Sequence, residues 1–191
     1  MLRAILLDRD GVINAKASEG EYITTLSNFR LLPGAVEAIA GLFRSGFEIF
    51  IVTNQRGLAR RQVSPAEIDR MHAALIAAVE RAGGRIRQIY VCPHDDSDHC
   101  DCRKPKPGLL LQAMREHRID PAASWMIGDS PTDMLAGRAA GCRTLYLGAR
   151  PSNVPADASA DSLEKATDTI QRESDLHPAT ALPSLKRPGN A

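Results

Sequence analysis

One repeated alternation constrains this chain most: a short apolar run breaks off into polar residues, and a segment with helical spacing follows. The runs cover residues 3–7 (RAILL), 47–52 (FEIFIV), 86–91, 125–127 and 143–147. Runs of this length without polar interruption read as strands buried on both faces. Between them lie helical segments. One opens at Pro33-Gly34, places Val36, Ile39, Ala40 and Phe43 on one stripe, and stops at Gly46. A second starts at Ser64 as cap, with Pro65 in the first turn and Glu67 expected to close a capping box, and runs to Gly83-Gly84. Two more are expected over 109–117 and 132–140, and a last over 162–172. Strands alternating with helices predict an α/β fold, a Rossmann-like parallel sheet flanked by helices with right-handed crossovers. The expected organisation is a single domain over 1–174 and a disordered Pro-, Ser- and Ala-rich tail over 175–191.

Charge and hydropathy narrow the function classes. Lysine and arginine number 24 against 23 acidic residues, a net charge of +1, so the basic excess of a nucleic-acid binder is missing. Any attraction for an anion must be local. The N-terminal MLRAILLDRDGV is too short and too soon charged for a signal peptide or a membrane span. The expectation is a cytoplasmic protein with no membrane or nucleic-acid partner, and a monomer, since no long exposed apolar helix calls for one.

The polar residues that end the strands carry the chemistry. In open α/β sheets that edge binds ligands, so groups remote in sequence converge there. In Asp8-Arg9-Asp10-Gly11-Val12, two carboxyl groups lie two residues apart on extended chain and point to one side. Their repulsion calls for a cation, and a hard one such as Mg2+ takes oxygen ligands. Asp129, after the fourth run, is placed to complete that magnesium site with Asp8, and Asp133 to support it from behind or to favour a helix start. Thr53-Asn54-Gln55 offers a hydroxyl and amides to phosphate oxygens. In Arg103-Lys104-Pro105, Lys104 is a compact charge for a phosphoryl oxygen and Arg103 a planar fork for a second anion. Each motif alone has an ordinary structural reading as a turn, a strand end or a solvated loop.

Three of the four cysteines lie between 92 and 102. Cys92-x-His94 and Cys100-x-Cys102 form a closed set of three thiols and one imidazole, suited to structural Zn2+. His99 competes with His94 as the nitrogen ligand, and a disulfide is the other use of such cysteines. Cys142 reads as a small core residue; His72, His117 and His177 show no partner pattern and read as surface residues.

Taken together, Asp8-x-Asp10-Gly-Val, Thr53-Asn54, Lys104 and Gly128-Asp129-x-x-x-Asp133 resemble, in order and spacing, the four motifs of the haloacid dehalogenase superfamily. The zinc loop at 92–102, ending in Arg103-Lys104-Pro, is similar to a branch whose members hydrolyse a heptose bisphosphate or histidinol phosphate. The resemblance covers about residues 1–150. It implies a Mg2+-dependent phosphatase with small loop caps instead of a large cap domain. In it Asp8 is the nucleophile and a magnesium ligand. Asp10 is the general acid and base, and binds the metal through its backbone carbonyl. Asp129 is the third protein ligand. Thr53 and Lys104 would hold the phosphoryl group and Arg103 the rest of the substrate. Asn54, Gln55, Arg56 and the loop Gly20-Glu21-Tyr22 would line the entrance. The continuation Lys106-Pro107-Gly108 resembles the heptose enzymes, which implies a sugar phosphate substrate in the making of activated heptose for lipopolysaccharide. Histidinol phosphate is the alternative. Arg56 stands where many relatives carry Ser, Arg61 where many carry Gly and Ser130 where some carry Lys. A phospho-accepting signalling module shares the acidic cluster, Thr and Lys but lacks a carboxylate at the Asp10 position. A catalytically dead zinc-stabilised binding protein would not need all these residues.

Overall fold

A computed structural model describes residues 1–151 and 153–176. Among the described residues six strands form one sheet: β1 (Ala4–Leu7), β2 (Glu48–Asn54), β3 (Ile86–Cys92), β4 (Trp125–Gly128), β5 (Arg143–Leu147) and β6 (Ala158–Ala160). All pairings are parallel, in the order β3-β2-β1-β4-β5-β6. The helices are α1 (Ala35–Arg44), α2 (Arg56–Ala59), α3 (Pro65–Arg81), α4 (Gly108–His117), α5 (Pro131–Ala139) and α6 (Leu163–Leu176).

The period of two along the strands feeds two cores. Ile5, Leu7, Ile49 and Ile51 face one side, where Ile39 and Leu42 of α1, Met71 and Leu75 of α3 and Ile170 of α6 cover them. Ala4, Leu6, Phe50 and Val52 face the other, under Leu109, Leu110 and Ala113 of α4 and Ala136 of α5. Strands apolar on both faces are thus sandwiched between helical layers, as their unbroken apolar runs require. Cys142 is buried in the second core.

The strand order reverses beside β1, with β2 on one flank and β4 on the other. Chains leaving β1 and β4 diverge there, which opens a crevice at their C-terminal ends. Asp8 and Asp129 are the residues that follow those two strands.

Several local expectations need correction. The Ser64 hydroxyl caps α3 by accepting from the Glu67 N–H at 3.2 Å, but Glu67 does not close the box. Its carboxylate instead accepts from the Leu26 N–H and pairs with Arg70. A capping box forms at α5, where Ser130 and Asp133 bond reciprocally across the first turn. The last helix runs past 172 to Leu176, taking in two residues assigned to the tail; the rest of the tail, with His177, lies outside the described residues. His72 is not a surface residue but is buried on the core face of α3. His117 is half-buried, its ring 4.8 Å from that of Phe50 and hydrogen-bonded to Arg87 and Tyr90.

Candidate active site

The crevice at the sheet edge holds a cavity of about 400 Å3 lined by Asp8, Asp10, Lys104, Asp133 and, at its rim, Arg56 and Arg103. At its floor the Lys104 ammonium lies 2.8 Å from Asp8 Oδ1 and 2.6 Å from Asp133 Oδ1, and donates to the Val52 carbonyl at 2.8 Å. Lys104 and Asp133 are almost wholly buried, while Asp8 keeps 13% of its side chain exposed toward the cavity. Burial penalises the lysine charge, but Asp133 and Asp8 outweigh it and raise the pKa above the usual lysine range. Burial also pushes the Asp8 carboxyl up to about 6; Lys104 opposes this, and Asp133 and Asp10 add to it. Lys104 is fastened by its backbone. Asn54 Nδ2 donates to the Lys104 carbonyl at 3.1 Å and Asn54 Oδ1 accepts from the Lys104 N–H at 3.2 Å. The last residue of β2 thereby holds in place the lysine that follows the cysteine loop.

Asp10 points into the same cavity under different control. Gln55 Nε2 donates to its Oδ2 and Asn14 Nδ2 to its Oδ1, each at 2.8 Å, and Arg9 Nη2 reaches both oxygens at 3.0 Å. Gln55 also donates to Thr53 Oγ1 at 2.8 Å. Thr53 is fully buried and does not line the cavity; its hydroxyl stands behind Gln55. Glu21 and Tyr22 line the cavity and Gly20 does not.

Asp8, Asp129 and Asp133 each offer a carboxylate oxygen, and these atoms lie within 4.8 Å of one another. Asp129 Oδ1 is buried without a hydrogen-bond partner, while Oδ2 meets the Lys16 ammonium at 2.5 Å. Desolvation raises the Asp129 pKa, against the pull of Lys16. A buried carboxylate oxygen left without a donor suits a hard cation. Gly11, at φ +89°, makes this approach possible: a Cβ there would fall 2.1 Å from Asp129 Oδ2. Lys16 and Arg9 were not legible as site residues in the sequence. Lys16 lies in an irregular loop with no periodicity to mark it, and Arg9 between two aspartates reads as a solvated turn.

The zinc-loop residues also meet. Cys92 Sγ lies 3.7 Å from both His94 Nδ1 and Cys100 Sγ, and Cys102 Sγ lies 3.2 to 3.4 Å from the other three atoms. A tetrahedron with Zn–S arms of about 2.3 Å has edges of roughly 3.8 Å, so the set fits zinc with a slight expansion of the site. The thiols are free, and their spacing is far longer than a disulfide bond. His99 is exposed and lies outside the cluster. Donors from Cys102 and from the Arg103 backbone outweigh burial at Cys100 and bring its thiol down to about 7.

This loop also steers the rim. Asp96 accepts from Arg103 Nε at 2.5 Å and from Arg56 Nη1 at 2.8 Å, and Arg103 Nη1 reaches the His94 carbonyl. Asp95, held down to about 2 by Arg60, anchors the neighbouring turn. Arg61 adopts φ +55°, a left-handed conformation that glycine takes at less cost.

The sequence profile of the haloacid dehalogenase-like hydrolases matches residues 2–141. The chain belongs to that family. The chain is 42% identical over 143 residues, 75% of its length and 79% of the relative's, to the D-glycero-beta-D-manno-heptose-1,7-bisphosphate 7-phosphatase of Pseudomonas aeruginosa. It is 38% identical over 165 residues, 83% and 86% of the two chains, to the D-glycero-alpha-D-manno-heptose-1,7-bisphosphate 7-phosphatase of Mycobacterium bovis. Among solved structures, it superposes on the D,D-heptose 1,7-bisphosphate phosphatase of B. bronchiseptica, complexed with magnesium and phosphate. That match has a TM-score of 0.84 at 29% identity and covers 90% and 99% of the two chains. This haloacid dehalogenase-like hydrolase is an enzyme, a phosphatase. Among the described residues, no helix is long and apolar enough to cross a membrane.

Proposed function

We propose that the chain removes the 7-phosphate of D-glycero-D-manno-heptose 1,7-bisphosphate through a phosphorylated Asp8. One observation carries the substrate class: the cavity has a lysine–carboxylate pair at its floor and two guanidinium groups, Arg56 and Arg103, at its rim. A floor built for one phosphoryl group and a rim built for a second anion suit a bisphosphate. The named activities of the relatives agree with that.

Magnesium bound by Asp8, Asp129 and the Asp10 carbonyl would neutralise the charge between Asp8 and the phosphate. Lys104 holds Asp8 and offers its ammonium to a phosphoryl oxygen. The Asp8 carboxylate attacks phosphorus in line, the bond from phosphorus to the sugar oxygen breaks, and Asp10 delivers a proton to that oxygen. Asp10 then takes a proton from water as the water oxygen bonds to phosphorus and the Asp8 ester breaks, which frees inorganic phosphate and restores both carboxyl groups. Asp133 keeps Lys104 charged and in place. Cys92, His94, Cys100 and Cys102 would hold zinc as a closed set, which would shape the segment that presents Arg103 and Lys104 and take no part in bond-making. Large exposed apolar side chains are few and scattered among the described residues, in keeping with a monomer.

Relatives of both anomeric types match this chain, so the test uses both anomers. Comparing kcat/KM for the two heptose bisphosphate anomers with that for histidinol phosphate is expected to favour a heptose bisphosphate. A preference for histidinol phosphate would overturn the substrate assignment.

A further inference from the structure

Beside Asp10, where Arg9 joins the lining of the cavity, lies a buried arrangement that the reaction above does not explain. Arg9 is 1% exposed, among the most buried large side chains of the described chain. Its guanidinium carries five N–H donors and keeps its charge at any ordinary pH. Nη2 and Nε donate to Asp10, and the remaining terminal nitrogen, Nη1, lies 3.2 Å from His72 Nε2. The ring of Phe29 covers the guanidinium at 5.4 Å. Since arginine can only donate, His72 Nε2 is the acceptor, and the imidazole is neutral with its proton on Nδ1. Burial, reinforced by Arg9, lowers the His72 pKa to about 4, in keeping with that form.

We propose that His72 is a positioning residue for the general acid and base: by accepting from Arg9 Nη1 it fixes the guanidinium plane, and that plane fixes the Asp10 carboxyl group. The geometry is a chain of three groups, with Asp10 and Arg9 at the cavity wall and His72 behind Arg9 on α3. Gln55 and Asn14 hold the two Asp10 oxygens from other directions. They do not hold Arg9, which has no acceptor other than Asp10 among its hydrogen bonds once His72 is removed. A guanidinium with an unmade donor in a dry site turns to find a partner, and Asp10 turns with it. This inference rests on Asp10 serving as proton donor, as proposed above.

The test compares two esters. kcat/KM covers the steps through departure of the leaving group, so it isolates the proton donation of the first half-reaction. p-Nitrophenyl phosphate has a leaving group that needs little protonation, whereas an alkyl ester depends on the acid. For His72→Leu, kcat/KM for the alkyl ester that the wild-type chain turns over fastest falls on the order of tenfold, and that for p-nitrophenyl phosphate less than about twofold. His72→Gln presents an amide oxygen near the place of Nε2 and restores the alkyl value to within about threefold of wild type. Arg9→Lys, which cannot reach Asp10 and His72 together, gives the same ester-selective loss and serves as the second variant if His72→Leu does not fold. Equal losses on both esters, unchanged values, or a Gln variant as impaired as Leu would overturn the proposal. A wild-type preference for an alkyl ester other than the heptose bisphosphate counts against the substrate assignment, and the ratio is then read on that ester.

Discussion

Lys104 Nζ bridges Asp8 and Asp133, at 2.8 and 2.6 Å, from inside the protein. Asp8 and its buried neighbour Asp133 therefore share one cation, supplied by the loop after β3. Removing that cation leaves two carboxylates facing each other in a desolvated site. Lys104→Met is expected to destabilise the fold by about 3–5 kcal/mol in magnesium-free buffer. Urea melts should show Mg2+ stabilising the variant more than wild type, because the metal takes over part of the charge balance. Turnover should fall by roughly a hundredfold to a thousandfold with the metal present.

Gly11 and Asp129 are coupled by space. A side chain at position 11 would collide with Asp129 Oδ2, and its φ of +89° is strained for any L-residue. Gly11→Ala should weaken the apparent Mg2+ affinity by about tenfold or more, as displaced metal ligands commonly do. Titrating activity against Mg2+ concentration checks this. An unchanged midpoint would mean that Asp129 is not a metal ligand.

The thiol cluster predicts about one zinc per chain in protein purified without chelator. Cys102 touches all three other members, so Cys102→Ser should abolish zinc retention. Its loss should expose the loop at 92–104 to proteolysis and lower kcat/KM, because Arg103 and Lys104 ride on that loop. Metal analysis and limited proteolysis of wild type and variant decide the matter.

His72 predicts an acid-sensitive fold. Its pKa falls from 6.5 to about 4 on folding, chiefly by burial. Below pH 6.5 the unfolded chain takes up a proton at this residue that the native state refuses, so stability falls with falling pH and levels off near 4. The loss is on the order of 3 kcal/mol over that window. His72→Gln should flatten this part of the pH–stability curve, measured by urea unfolding between pH 7 and 4.5.

His72 also shows where the sequence was legible and where it was misread. Ile68, Met71, His72, Leu75 and Val79 are the buried residues of α3, at helical spacing. The spacing of His72 from its apolar neighbours is the sequence's signal of burial, although a lone histidine is more often a surface residue. The strands and the residues that end them were easier, because buried parallel strands need unbroken apolar runs and ligands gather where those runs stop. The three-residue β6 and the four-residue α2 carry too few residues for any period to emerge. Thr53 was placed at a strand end, but whether its hydroxyl meets the cavity or a neighbour depends on Gln55.

By itself, then, the sequence determined the α/β class, the family, the order of strands and helices along the chain, and the residue types that supply carboxylates, a lysine and a thiol cluster, since these follow from hydrophobic period and local spacing. Only the tertiary structure decided which of them touch. It placed Lys104 between Asp8 and Asp133, turned Asn54 into a fastener of Lys104, set Lys16 on Asp129 and stood His72 behind Arg9. Such pairings join residues far apart in the chain, as Lys16 and Asp129 are, and the register of the parallel sheet and the packing of its helices create them, which no local pattern encodes.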